Sequence, residues 1–275
     1  MDFRCRSYRL PLGGRTYIMG ILNVTPDSFS DGGDYFAVEN AVTRARQIVA
    51  EGADILDIGA QSTRPGALTL TEKEETARLL PVLEALQGSL PIPVSVDTFF
   101  PGTAAAALKR GADIINDVTG FENPTMVRLA ASCDCGCILM HPGKETYPRG
   151  VVREVHDYLV KGAARLTLAG VAKERICVDP GIGFGTTMEE CVELLRNTER
   201  LRLPDCAYLV GASRKRVIGE TGGENDPKRR LPGTVAAHTV VQMAGADILR
   251  VHDVAAAVQA ARVVDAIRFG MKNNE

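Results

Sequence analysis

The tetrapeptide Gly-Ala-Asp-Ile occurs three times, in Glu51-Gly-Ala-Asp-Ile-Leu-Asp57, Arg110-Gly-Ala-Asp-Ile-Ile-Asn116 and Ala244-Gly-Ala-Asp-Ile-Leu-Arg250. Each copy reads as a helix end, a turn and the start of an apolar strand. Gly52 and Gly111 are 59 positions apart, and Gly111 and Gly245 are 134 apart. Taken as two and four units, these gaps correspond to about 30 and 34 residues per unit, the size of a βα repeat with its loops. The three strands are then the second, fourth and eighth of a series.

Short apolar runs at 17–22, 93–96, 136–140, 176–178 and 207–210 supply the first, third, fifth, sixth and seventh strands. Between them lie amphipathic segments. The one over 37–51 places Ala41, Val42, Ala45, Ile48 and Val49 on one face and ends at Gly52, and another over 254–269 closes the series. Eight strands alternating with helices predict a single α/β domain over 1–275, a (β/α)8 TIM barrel, with a doubly wound open sheet as the other architecture such alternation allows. Ahead of the first strand, residues 1–16 read as an N-terminal β-hairpin, with Leu12-Gly13-Gly14-Arg15 as its turn.

The chain has 275 residues, 45 % of them apolar, and a formal net charge of -2. That balance provides a large core and no electrostatic argument for nucleic acid or an anionic membrane. No apolar run approaches the roughly 20 residues that span a bilayer, and the start of the chain has no apolar signal segment. A cytoplasmic protein with small-molecule partners is the expectation. Seven scattered cysteines do not resemble a disulfide framework. Cys133, Cys135 and Cys137 would share one face of a strand, which raises a metal question against the plainer reading of small buried thiols.

In a (β/α)8 barrel the active site lies where strands give way to the loops that lead into helices. In order, those positions hold Asn23, then Asp57 followed by Gln61-Ser-Thr-Arg-Pro65, Asp97, Asn116-Asp117, Met140-His141, Asp179, Gly211-Ala-Ser-Arg-Lys215 and Arg250-Val-His252. Every strand ends in polar or ionisable groups. Asp97, Asn116, Asp179 and Lys215 suit a flat heterocycle rich in ring nitrogens and amino groups. Arg64, Arg250, His252 and Asn23 suit a phosphate or pyrophosphate with hydrated Mg²⁺. A bipartite pocket follows, a hydrogen-bonding slot beside an anion site. Asp57 and Asp117 have a purely structural alternative, capping the helix that follows.

Asp179-Pro-Gly-Ile-Gly-Phe-Gly185 is read as a tight loop holding Phe184 toward the pocket, because no Rossmann pattern accompanies its glycines. Gly211-Ala-Ser-Arg-Lys215 lacks the ending of a P-loop, and its Lys sits at a helix start suited to an anionic substituent. His141 and His252 are candidates for hydrogen bonding or acid–base work, whereas His156 and His238 fall inside helices and read as structural.

The chain resembles the bacterial dihydropteroate synthase family. The resemblance rests on Gly20-Ile-Leu-Asn-Val-Thr-Pro-Asp-Ser-Phe-Ser-Asp-Gly-Gly33, Asp57-Ile-Gly-Ala-Gln-Ser-Thr-Arg-Pro-Gly66, Ser95-Val-Asp-Thr98, Ile115-Asn-Asp-Val-Thr-Gly120, the Asp179–Gly185 and Gly211–Lys215 segments, and Arg250-Val-His-Asp-Val254. It implies a (β/α)8 barrel that joins 6-hydroxymethyl-7,8-dihydropterin pyrophosphate to p-aminobenzoate, forming 7,8-dihydropteroate for folate synthesis. It further implies that Asp97, Asn116, Met140, Asp179, Phe184, Lys215 and Arg250 hold the pterin, and that Asn23 (through Mg²⁺), Thr63, Arg64, Arg250 and His252 hold the pyrophosphate. Phe29, Thr63, Pro65, Phe184, Ser213 and Lys215 would border p-aminobenzoate, with its carboxylate near a helix starting at Ser213. Asp97, Lys215, Arg250 and His252 would act in the chemical step. Sulfonamide binding and a homodimer through the late helices are also implied.

One segment departs from the family pattern. Where the family continues Met-His with Met-Gln-Gly or similar, this chain has Met140-His-Pro-Gly-Lys-Glu-Thr-Tyr-Pro148. Two rival readings share the barrel and slot: a catalytically silent pterin-binding homologue, and a methyltetrahydrofolate:corrinoid methyltransferase. The latter has no use for the Thr25–Gly33 loop or for the anion site at Arg64 and His252.

Overall fold

The computed structural model describes residues 1–24, 33–61 and 70–271, with the backbone alone for 33–37. Eight parallel strands form a closed barrel: β3 (Tyr17–Asn23), β4 (Ile55–Gly59), β5 (Val94–Asp97), β6 (Ile114–Asp117), β7 (Gly136–Met140), β8 (Ile176–Asp179), β9 (Ala207–Val210) and β10 (Ile248–Val251), with β10 closing onto β3. Between them run α1 (Gly33–Ala50), α2 (Glu72–Leu86), α3 (Pro101–Lys109), α4 (Pro124–Ala131), α5 (Val151–Leu168), α6 (Met188–Arg196), α7 (Thr198–Leu201), α8 (Arg216–Gly222) and α9 (Leu231–Met243), and α10 (Val254–Phe269) completes the ring. The open-sheet alternative is excluded by the closure.

The Gly-Ala-Asp repeat does the same work three times. Gly52, Gly111 and Gly245 have φ of 98°, 94° and 98°, a region that glycine enters without a Cβ penalty. The next aspartate then turns back onto the adjacent strand. Asp54 Oδ2 accepts from Ile18 N at 2.8 Å, Asp113 Oδ2 from Val94 N at 2.9 Å and Asp247 Oδ2 from Tyr208 N at 3.0 Å. Each hook satisfies an amide at a strand start that would otherwise lie beyond the ladder.

Successive strand residues face opposite sides, and this decides what the barrel encloses. Met19, Ile55, Ile114, Ile138, Cys177, Leu209 and Ile248 meet in the interior. Their neighbours Ile18, Leu56, Ile115, Leu139 and Val178 pack outward against the helices, in the same cluster as Ala41, Ala45 and Ile48 of α1. Gly20 permits the close approach of α1 and α10, since a Cβ there would lie 2.5 Å from Ile48 Cγ2 and 3.0 Å from Val254 Cγ2.

An antiparallel hairpin, β1 (Asp2–Cys5) with β2 (Tyr8–Pro11), covers the barrel end that receives the strand starts, and its Phe3 and Cys5 join the interior cluster. The turn is not at Gly13-Gly14, as the sequence suggested, but at Arg6-Ser7. Arg6 adopts φ 51° without being glycine. Its amide donates to Asp134 O at 2.8 Å and its guanidinium to Leu108 O at 2.8 Å, tertiary contacts that stand in for local turn chemistry.

Candidate active site

Several strands end one or two residues later than their apolar run. Asn23, Asp97, Asp117 and Asp179 belong to the ladders themselves, so their backbones are as fixed as the core. The two-residue alternation that puts Ile55, Ile114, Cys177 and Ile248 inside also sends Asp57, Asn116, Asp179 and Arg250 inward, two positions on. It sends Asp117 outward. There the Asp117 carboxylate accepts from Thr119 N at 2.8 Å, Thr119 Oγ1 at 2.7 Å and Phe121 N at 3.0 Å, a structural role, but one that closes the turn after the strand and does not cap the following helix, whose N-cap is Asn123.

The inward groups converge on an open cleft lined by Asp97, Asn116, Met140, Asp179, Phe184, Ser213, Lys215, Arg250 and His252, with Ile21, Val118 and Gly211. Arg250 organises its floor. Its Nε donates to Asp57 Oδ2 at 2.7 Å, and its Nη2 lies 2.6 Å from Asp57 Oδ2 and 2.8 Å from Asp97 Oδ2. Asn116 Nδ2 also reaches Asp57 Oδ2, at 3.3 Å. Asp57 is fully buried, and its Oδ1 has no hydrogen-bond partner among the described residues. It was read from sequence only as a strand-end carboxylate with a capping alternative. In the structure it anchors Arg250, and its inward parity with Ile55 was the signal that could have revealed this.

Burial raises the pKa of Asp97, opposed by Arg250 and reinforced by the Asp57 charge. Burial likewise raises Asp179, against Lys215 and the amide of Gly181, which donates to Asp179 Oδ1 at 2.8 Å. For Lys215, burial brings the ammonium down to about 8, with Asp179 pulling the other way. Lys215 Nζ donates to Ile182 O and lies 4.4 Å from the Phe184 ring centroid. The Asp179–Gly185 loop therefore does hold Phe184 at the cleft. Gly181, at φ 69°, permits this because a Cβ there would stand 2.1 Å from His141 O.

Ser213 Oγ accepts from His252 N at 3.2 Å and lies 3.0 Å from His252 Nδ1, joining the loop after β9 to the end of β10. The helix expected to start at Ser213 starts at Arg216, with Lys215 as its N-cap, because Arg214 is held at φ 58° outside helical geometry. Asn23 is exposed at the end of β3, with Gly59 as its register partner. Phe29, Thr63, Arg64 and Pro65 lie outside the described residues.

The divergent segment after β7 does not add a base to the cleft. His141 is buried, its Nδ1 accepts from Gly143 N at 3.1 Å, and its ring meets Tyr158 edge-on at 4.9 Å. Burial, with Lys144 nearby, lowers it to about 4, so it is neutral at physiological pH. Lys144 is paired with Glu154 of α5. Cys133 Sγ lies 3.1 Å from Cys135 Sγ, all seven cysteines are free, and no group of three or more metal-ligating side chains occurs among the described residues. The thiols of Cys133 and Cys135 are raised well above the ordinary range, Cys133 by its hydrogen bond with Cys135 and by burial, and Cys135, against its hydrogen bond with Cys133, by that with Cys137 and by burial, which is the behaviour of structural thiols.

The chain that carries this cleft is similar to known proteins. Residues 19–252 match the family described as pterin binding enzyme. The chain belongs to that family. Relatives of the chain include dihydropteroate synthases: that of Synechocystis sp. is 44 % identical over 264 residues, covering 93 % of this chain and 91 % of the relative. Among solved structures, the Xanthomonas albilineans dihydropteroate synthase with 4-aminobenzoic acid superposes with a TM-score of 0.92 at 44 % identity, covering 98 % of this chain and 99 % of that one. The same organism's enzyme in complex with 7,8-dihydropteroate gives 0.90 at 41 % identity, over 98 % and 99 %. The family match includes the divergent 141–149 segment, so that departure is a variation inside the fold.

Proposed function

We infer that this protein is an enzyme that condenses 6-hydroxymethyl-7,8-dihydropterin pyrophosphate with p-aminobenzoate to 7,8-dihydropteroate and pyrophosphate. The observation that carries this is the convergence of Asp97, Asn116, Asp179, Lys215 and Arg250 on one cleft, in a chain 44 % identical to dihydropteroate synthases over nearly its whole length.

The carboxylates and Asn116 would accept hydrogen bonds from the pterin amino and ring N–H groups, and Lys215 would donate to its carbonyl. Met140 and Phe184 supply apolar walls for the flat ring. Arg250, oriented by Asp57, presents its remaining guanidinium edge toward the ring and the leaving pyrophosphate, with His252, Thr63 and Arg64 as further anion contacts. In the reaction the C–O bond breaks with its electron pair leaving on pyrophosphate. The amine nitrogen forms the new C–N bond and then loses a proton. Asp97 and Asp179 are placed to stabilise the cationic pterin between these events. No residue need form a covalent intermediate, in keeping with the absence of a nucleophile motif in the sequence.

The donor chemistry fits Mg²⁺ only as an ion that arrives with pyrophosphate. Asn23 supplies one neutral oxygen, and Mg²⁺ keeps several waters while binding phosphate oxygens. When bound, the ion would neutralise charge on the leaving group. Phe29, Thr63, Pro65, Phe184, Ser213 and Lys215 border p-aminobenzoate in this reading, and sulfonamides would compete there. A homodimer is supported by apolar side chains exposed on two adjacent helices, Val240 and Met243 of α9 with Val263 and Ile267 of α10. No helix among the described residues is long and apolar enough to cross a membrane, and a cytoplasmic location accords with soluble substrates.

The test is an incubation of the protein with both substrates and Mg²⁺. Pyrophosphate release that requires p-aminobenzoate supports the reading. Pterin binding without release would favour the silent homologue instead.

A further inference from the structure

The loop Gly211–Lys215 carries three cleft residues, Gly211, Ser213 and Lys215, the last two on either side of Arg214, which sits at φ 58°. A non-glycine residue in that region is strained and persists only where its surroundings impose it. The surroundings here are α9 with its preceding cap, and the end of β10. His238 Nε2 accepts from Ala212 N at 3.3 Å, and Thr234 Oγ1 accepts from Arg214 N at 3.1 Å. Arg230 spans three backbone carbonyls: Nη1 donates to Arg214 O at 3.0 Å, Nε to Glu224 O at 2.9 Å and Nη2 to Asn225 O at 2.7 Å. The Arg214 side chain is fixed in turn by Asp253, with Nε to Oδ2 at 2.9 Å.

The neighbours are shaped to admit these contacts. A Cβ on Gly219 would lie 2.4 Å from Arg230 Cζ, and one on Gly233 would lie 2.7 Å from Ile218 Cγ2, so both glycines let α8, Arg230 and α9 close up. Thr234 and His238 are almost fully buried. Burial lowers His238 to about 4, so its ring is neutral and Nε2 is free to accept while Nδ1 carries the proton. The Ala212 amide, in a buried bond to His238, and the hydroxyl of the buried Thr234 have little solvent to turn to if a partner is removed.

We propose that Arg230 and Thr234, supported by His238 and Asp253, are positioning residues that hold Arg214 left-handed so that Ser213 and Lys215 are presented together to the cleft. They act through the loop without touching substrate. The proposal rests on the reading of Ser213 and Lys215 as substrate contacts. Substitutions in α9 would then change how the amine substrate is held, although the helix lines the outside of the barrel.

The experiment compares Thr234→Val, Thr234→Ser and Arg230→Lys. Amide hydrogen exchange over residues 212–215 is read beside steady-state kinetics and thermal melting. Thr234→Val keeps volume and removes the acceptor. It is expected to speed exchange in the loop by about tenfold and to lower kcat/KM for p-aminobenzoate by a similar factor. Thr234→Ser, which restores the hydroxyl, should recover both. Arg230→Lys keeps the charge and can reach only part of the three-carbonyl set, so it should fall between them and serves if the valine variant does not fold. Unchanged exchange overturns the clamp, whether or not the protein is active. Faster exchange with wild-type kcat/KM, or a loss that serine does not recover, overturns the positioning role. Wild-type protein that releases no pyrophosphate would overturn the functional reading, while the exchange data still decide whether Thr234 and Arg230 hold the loop.

Discussion

Replacing Asp57 by Asn tests the floor of the cleft. The change is nearly isosteric and removes the fully buried carboxylate that accepts from Arg250 Nε at 2.7 Å. Losing one partner of a buried ion pair costs about 3–5 kcal/mol when the remaining charge is stranded. Arg250 is not stranded, because Asp97 stays 2.8 Å from Nη2, and one like-charge contact between carboxylates disappears. A net loss of about 2–3 kcal/mol follows, in line with one or two charge-assisted hydrogen bonds. For a chain of this length that is a fall in Tm of about 4–6 °C.

The same substitution has a second readout whose sign is set independently. The Asp57 charge raises the pKa of Asp97, so its removal lets Asp97 ionise at lower pH. If pterin binding needs the ionised form, binding is lost as pH falls through the Asp97 pKa, and the acid limb should move to lower pH in the variant. Differential scanning fluorimetry and pterin titrations across pH measure the two effects. A Tm within about 1 °C of wild type together with an unmoved acid limb would refute the Arg250 anchoring argument.

Lys215, at about 8, should lose its charge as pH rises through that value, so pterin affinity should fall above it; Lys215→Arg should retain charge and abolish that alkaline limb in a binding titration. Binding of pterin should also release protons wherever it favours the ionised forms of Asp97 and Asp179, whose pKa values are raised, and calorimetry in buffers of different ionisation enthalpy reads this directly. Gly111→Ala meets only an ordinary contact, Gln87 Cγ at 3.5 Å, so its cost is conformational: about 1–2 kcal/mol from φ 94°, seen in denaturant melts without loss of substrate affinity. Removing residues 27–31 should stop condensation and leave pterin binding largely intact; loss of both assigns that stretch to the fold. Native protein should expose no more than one thiol to a bulky disulfide reagent, since Cys133 alone is not buried, and denaturation should expose all seven.

Much of the site was legible before the fold was known. The polar residues at the strand ends, and the resemblance built on them, named the groups that converge, because a barrel gathers its strand ends whatever the details of packing. The hairpin turn was placed wrongly because Gly13-Gly14 carries the local signal, whereas Arg6 is held left-handed by Asp134 and Leu108, which no local pattern announces. Asp57 was left among the ambiguous carboxylates for a similar reason. Its role depends on Arg250, 193 positions away.

Sequence alone determined the repeat, the number of strands and the chemical types at their ends, because hydrophobic periodicity and glycine-marked turns are local properties written within each βα unit. Only the tertiary structure decided what Asp117 does beside the cleft-facing Asn116, accepting from Thr119 and Phe121 in the turn after the strand. It alone joined Asp57 to Arg250 and set His238, Thr234 and Arg230 behind the loop that carries Lys215. These are contacts between distant units, created when the eight strands close and each register fixes which side chains meet.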